Sequence, residues 1–192
     1  MRAVCIIPAR GNSRRIPRKN IKRFHHGPII GYSIGAARLS GVFAEIVVST
    51  DDSEIRDVAM RYGAGWIERP AHLAGDEPGT QEVMAHALAS LPRFKYACCL
   101  YPCAPMLSPY TLKAAYEILV ASDLDYLVPV ATWLRDPGQF YMGRADAFRL
   151  GRPLIGHRTG LFKIPASTEC DINTMEDWTK AEQMYANLME AT

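Results

Sequence analysis

The sequence predicts an α/β domain, a three-layer arrangement in which helices cover both faces of a mostly parallel sheet. Two observations predict it. Short apolar runs alternate with stretches of helical periodicity along most of the 192 residues, the pattern of parallel strands joined by right-handed helical crossovers. The length suits one domain with a substantial core, so residues 1–192 are read as a single domain.

Each element has its own signal. Ala3-Val4-Cys5-Ile6-Ile7 reads as a buried strand, followed by a loop rich in Arg, Gly and Pro to about Gly27. Residues 28–39 read as a helix with Pro28 in its first turn, and residues 45–50 as a second strand. Asp51 is expected to cap the next helix, with Glu54 completing a capping box and Gly63 ending it. Residues 64–68 form a short strand, Thr80 caps a helix to about Ser90, and residues 96–101 form a fourth strand. Ser108 followed by Pro109 opens a helix to about Ala121, and residues 126–131 read as a fifth strand. Residues 133–161 show weak periodicity and several Gly and Pro. Residues 160–164 read as a late strand, and Thr174 with Asp177 caps a C-terminal helix. Ligands of such sheets bind beyond the carboxyl ends of strands, which makes residues 8–20, 49–52 and 101–105 candidate site walls.

Composition excludes some classes. Hydrophobic content is 48% and charged content 22%, ordinary for a globular protein, and the net charge of +2 singles out no partner. The five cysteines include no CxxC pair, which argues against zinc and for reduced thiols. The five histidines show no HExxH or comparable metal spacing and are read as structural or solvated. No apolar run has the length of a membrane span and the N-terminus lacks a signal pattern, so no membrane partner and a cytoplasmic location are expected.

Charge distribution says more. Nine Lys or Arg side chains precede the first acid, Glu45. Most lie in Pro8-Ala9-Arg10-Gly11-Asn12-Ser13-Arg14-Arg15-Ile16-Pro17-Arg18-Lys19-Asn20. Gly11 lets backbone approach a ligand, Ser13 and nearby amides can donate to phosphate oxygens, Arg10 offers a bidentate fork and Lys19 a point charge. These are the parts of a triphosphate cradle, although the Walker pattern is absent. Charge alone leaves a solvated basic loop as an equal alternative. RNA binding is disfavoured, because no aromatic residues interleave with the arginines to stack on bases.

The run from Ile6 to Ile21 closely resembles the signature of CMP-acylneuraminate synthetases, and among them most resembles the pseudaminic acid cytidylyltransferases. The resemblance continues at Val48-Ser49-Thr50-Asp51-Asp52, at Arg69-Pro70 with Leu73-Ala74 and Asp76, at Gly138-Gln139-Phe140-Tyr141, and at Asp171-Ile172-Asn173-Thr174 with Glu176-Asp177-Trp178. It implies a Rossmann-like nucleotide-diphospho-sugar transferase fold. It also implies transfer of CMP from CTP to an acidic nine-carbon sugar, with release of pyrophosphate, for cell-surface glycans. By resemblance, Arg10 and Lys19 hold the triphosphate, and Ala9, Gly11, Asn12, Ser13, Asn20 and Arg69 belong to the nucleotide site. An Arg before a Pro, as at Arg69-Pro70, also has a restricted, pre-aimed backbone.

Asp171 and Asn173 are two apart, so in an extended segment both face one way. Two oxygen ligands there suit Mg²⁺, which prefers few protein oxygens plus phosphate and water. The family usually carries a second Asp where Asn173 stands, and Asn keeps the oxygen without the charge. Asp171, with Arg10 and Lys19, is the expected catalytic group.

At the sugar end, the family stretch matching Gln139, Phe140 and Tyr141 faces the sugar, and Tyr101 replaces a sugar-contacting Gln. An edge strand with alternating burial is the alternative for residues 139–141. Family members carry a few dozen more residues between the positions of Val130 and Gln139, a segment that contributes to the sugar pocket and to a homodimer contact. Two other readings remain: a catalytically silent relative, and a transferase for another acid such as sialic acid or a 3-deoxy-octulosonate.

Overall fold

A computed structural model describes residues 3–131 and 135–190. Thr132, Trp133 and Leu134, within the shortened connection, lie outside the described residues, as does Arg2 of the basic N-terminal run.

Seven strands form one sheet in the order β5-β4-β1-β6-β8-β7-β9. They are β1 (Ala3–Pro8), β4 (Phe43–Thr50), β5 (Gly65–Glu68), β6 (Tyr96–Leu100), β7 (Tyr126–Val130), β8 (Phe140–Arg144) and β9 (Thr159–Lys163). A two-residue hairpin, β2 (Arg23–Phe24) with β3 (Gly27–Pro28), stands apart. The helices are α1 (Ile29–Ser40), α2 (Ser53–Arg61), α3 (Thr80–Ala89), α4 (Pro109–Val120), α5 (Ala145–Arg149) and α6 (Met175–Glu190).

Strand alternation sorts the core. Ala3, Cys5 and Ile7 of β1 face α1, α2 and α4 through Ile30, Ile34, Ile55, Leu112 and Leu119. Val4 and Ile6 face the other way, in a cluster with Met84, Ala87 and Leu88 of α3 and Phe148 of α5. A third cluster joins Ile16 of the basic loop, Phe24, Ile29, Met106, Ile172 and Trp178. It fastens the loop and the 171–173 segment to α6. Trp178 is 2% exposed, and large aromatic-to-Ala truncations at such sites cost about 3–5 kcal/mol.

Three expectations are corrected. First, Asp52, not Asp51, caps α2, accepting from the Ile55 amide at 2.9 Å. Asp51 is drawn away to accept from the Gly11 amide at 2.9 Å, and Glu54 turns to Arg18 instead of closing a capping box. Second, Gly79 rather than Thr80 is the N-cap of α3, with Glu82 accepting from its amide at 2.8 Å. The Thr80 hydroxyl instead meets the Tyr101 hydroxyl at 2.7 Å. Third, the weakly periodic stretch contains β8 and α5. β8 lies between β6 and β7, antiparallel to both, so residues 140–144 are not an edge strand. Phe140 to Met142 are buried on both faces, which erases the alternation that marks a half-buried strand. The caps expected at Ser108 and at Thr174 with Asp177 form, the latter reciprocally.

Candidate active site

A cleft of about 430 Å³ opens at the carboxyl ends of β1, β5 and β6. Its walls are the basic loop, the turn after β5, the Tyr101-Pro102-Cys103 turn, the entry to β8, and the 171–173 segment. Of the sequence-predicted residues, Arg10, Ser13, Lys19, Asn20, Arg69, Tyr101, Tyr141, Asp171 and Asn173 line it. Residues 49–52, expected as a wall, do not line the cleft but hold its walls through hydrogen bonds to Arg69, Gly11 and Arg18.

The loop is braced by its own cations. Arg18 adopts a left-handed backbone at φ 54°, a conformation disfavoured for a non-glycine residue. Its guanidinium forks onto Asp52 and reaches Glu54 at 2.7 Å, which fixes that turn. The hydrogen bond from Arg18, then the Ile55 amide and the Arg18 charge, hold the Asp52 carboxyl below the usual range against its burial. Gly11 passes so close to Asp52 that an added Cβ would lie 2.7 Å from its Oδ2. Asn20, 5% exposed, donates to the Arg10 carbonyl at 2.9 Å, and the Cys103 thiol donates to Asn20 Oδ1 at 3.6 Å.

Cations then face the cleft. Arg10 donates to the Gly75 carbonyl and pairs with Asp76, both at 2.6 Å, while Arg14 reaches the same carboxylate at 3.1 Å. These arginines hold the Asp76 carboxyl below its usual range, the Arg10 hydrogen bond first. Lys19 Nζ donates to the Ile172 carbonyl at 2.7 Å. Arg69 is 6% exposed. Its Nε donates to Ser49 Oγ at 3.2 Å and its Nη2 to the Ser49 carbonyl at 2.6 Å. Among the described residues no carboxylate forms an ion pair with it, and burial pushes its pKa down. The charge of Asp51, short of an ion pair, offsets that burial only in part, and a buried guanidinium hydrogen-bonded to neutral oxygens and lining a cleft is set up for an anionic or carbonyl-bearing ligand.

At the other end, Tyr101 and Tyr141 stand edge to face, ring centres 5.9 Å apart. Tyr141 donates to Asp136 Oδ2 at 2.5 Å. Burial pushes both phenols up, so both remain donors. The Cys103 thiol is pushed by burial up to about 11, which keeps it protonated near neutral pH.

The remaining predicted residues lie elsewhere. Phe140 is fully buried and faces the α1–α4 side of the core, because strand alternation sends it opposite to Tyr141. Gln139 is fully buried and donates to the Thr168 carbonyl, tying β8 to the segment after β9. Ala9 is buried, with its amide on the Ser49 carbonyl at 2.9 Å. Asn12 is exposed outside the cleft, and Gly11 lies behind it. Arg15, Gly75 and Thr80, which line the cleft, and Asp136, which binds Tyr141, are not among the predicted site residues. Arg15 was visible only as one charge in a run, and Asp136 only through its fold-dependent meeting with Tyr141.

Asp171 and Asn173 share the cleft face, as their spacing predicts, while Ile172 between them is 2% exposed in the third cluster. No described group donates a hydrogen bond to Asp171, whereas Asn173 Oδ1 accepts from Arg15 Nη2 at 2.8 Å. Among the described residues no group of three or more His, Cys, Asp or Glu could enclose a metal ion. One free carboxylate fits a divalent cation shared with phosphate oxygens, not an all-protein cage. Among the described residues no helix is long and apolar enough to cross a membrane.

Comparisons with known proteins agree with this geometry. A family model described as Cytidylyltransferase matches residues 4–144. The chain is 34% identical to the pseudaminic acid cytidylyltransferase of Campylobacter jejuni, covering 96% of this chain and 97% of that one. That alignment runs over 224 positions, more than the 192 residues here, so the relative carries segments this chain lacks. The CMP-N,N'-diacetyllegionaminic acid synthase of Legionella pneumophila is 38% identical over 62% of this chain and 53% of its own. Among solved structures, a CMP:2-keto-3-deoxy-manno-octonic acid synthetase complexed with CTP superposes with a TM-score of 0.81 at 16% identity, covering 97% of this chain and 99% of that one. With its basic loop, its mostly parallel sheet and a match over most of its length, the chain belongs to the cytidylyltransferase family.

Proposed function

We propose that this cytidylyltransferase transfers CMP from CTP to an acidic nine-carbon sugar, pseudaminic acid or a related nonulosonate, and releases pyrophosphate. The observation that carries the reading is Arg69, a buried guanidinium that among the described residues forms no ion pair and that lines a cleft with Arg10, Arg15 and Lys19.

Arg10, Lys19 and the amides around Ser13 would hold the triphosphate, with Asn20 and Arg69 on the nucleotide. Asp76 already occupies Arg10 and Arg14, so an entering triphosphate exchanges one set of anionic contacts for another. Tyr101 and Tyr141 would present phenolic donors and ring faces to the sugar. The anomeric hydroxyl oxygen of the sugar attacks the α-phosphorus and gives up its proton to solvent as the bond from the α-phosphorus to the bridging oxygen breaks, and pyrophosphate leaves. Positioning and charge neutralisation by these side chains supply the acceleration. Asp171 would hold a divalent cation such as Mg²⁺, which supplies charge neutralisation on phosphate oxygens when bound.

The test is CTP-dependent pyrophosphate release measured with pseudaminate, legionaminate, sialate and a 3-deoxy-octulosonate. Turnover with one nine-carbon acid supports the proposal. Turnover only with the octulosonate would move the substrate class, and CTP binding without turnover on any acid would make the chain a silent relative.

A further inference from the structure

The basic loop carries four arginines after Ala9, and three of them are matched to carboxylates. Arg10 and Arg14 pair with Asp76, and Arg18 pairs with Asp52 and Glu54. Arg15 is the exception. Among the described residues it forms no ion pair, and its Nη2 rests on the amide oxygen of Asn173 at 2.8 Å, with both residues lining the cleft.

Asn173 is itself held from two sides. Its backbone amide donates to Asp177 Oδ2 at 2.9 Å at the start of α6. The preceding Ile172 is buried against Trp178, and its carbonyl accepts from Lys19. The backbone that carries the Asn173 side chain is therefore fixed, and the side-chain amide it presents to Arg15 is neutral. A carboxylate of the same shape would grip Arg15 more tightly, since charged pairs are shorter and stronger, but would neutralise it and add a second negative charge beside Asp171.

We propose that Asn173 is a positioning residue: it holds Arg15 over the cleft without neutralising it, so that Arg15 meets the triphosphate with its full charge. Asp171 is then the carboxylate available to a cation, and Asn173 acts on the nucleotide through the arginine. The inference rests on the cytidylyltransferase reading.

A double-mutant cycle tests it, with CTP binding measured by calorimetry in EDTA and again in Mg²⁺, and folding checked by thermal melting. Arg15→Met is expected to raise Kd about tenfold or more, the loss of one charged contact. Asn173→Ala is expected to raise Kd about fivefold in the otherwise wild-type chain and less than about twofold in the Arg15→Met background, a coupled pair. Asn173→Asp, which keeps the shape, is expected to weaken CTP binding in EDTA. Equal effects of Asn173→Ala in both backgrounds would overturn the proposal, as would tighter binding by Asn173→Asp in EDTA. The cycle is read in whichever buffer the wild-type chain binds CTP, and binding in neither defeats the functional reading itself.

Discussion

Replacing Arg69 with Met separates a binding role from a structural one. Two opposing terms act on stability. The substitution removes the hydrogen bonds to Ser49 Oγ and the Ser49 carbonyl, and bonds made by a charged donor contribute about 1.5–3 kcal/mol each. It also removes a guanidinium that is 6% exposed and, among the described residues, forms no ion pair, and relieving such a buried charge returns several kcal/mol. The unbranched Met side chain fills much of the vacated volume. The terms are of similar size, so the expected net change in unfolding free energy is under about 2 kcal/mol. Binding has no such offset. Loss of one charge-assisted contact to CTP costs about 1.5–3 kcal/mol, or roughly 10- to 150-fold in Kd. Urea unfolding with calorimetric titration of CTP measures both. A chain that loses more than about 3 kcal/mol of stability yet binds CTP as before would refute the reasoning and make Arg69 a strut.

Gly11→Ala places a Cβ 2.7 Å from Asp52 Oδ2 and is expected to lower stability by about 1–3 kcal/mol, because the carboxylate must leave the α2 cap or Arg18; an unchanged denaturation midpoint would mean the loop moves freely. Tyr141→Phe removes the donor to Asp136 and is expected to lower kcat/KM for the sugar about tenfold while leaving CTP affinity alone; a parallel loss of CTP affinity would place Tyr141 at the nucleotide instead. The Asp52 carboxyl lies below its usual range in the folded chain, so its contribution is present above the unfolded value near 4 and is lost as pH falls through the folded value. Acid unfolding of the wild-type chain is therefore expected to steepen below about pH 4 relative to Asp52→Asn; coincident curves would show that the Arg18 pair adds nothing.

Periodicity, composition and local caps are properties of neighbouring residues, and they were legible. The parallel sheet, α1 to α4, the Ser108 cap and the Thr174–Asp177 capping box follow from residues a few positions apart. So does the shared face of Asp171 and Asn173. What failed involved partners distant in sequence. Asp51 and Asp52 are equivalent as caps until Gly11, forty residues earlier, takes Asp51. β8 is hidden because burial on both faces removes its alternation, and only its insertion between β6 and β7 reveals that Tyr141 meets the cleft while Phe140 does not. The sequence by itself determined that a basic, glycine-containing loop follows the first strand of an α/β sheet. Tertiary structure decided which of its charges are spent: Arg10, Arg14 and Arg18 pair with carboxylates, whereas Arg15, among the described residues, forms no ion pair and rests on an amide. The physical reason is that a charge has no fixed role until the fold brings its partner within hydrogen-bonding distance.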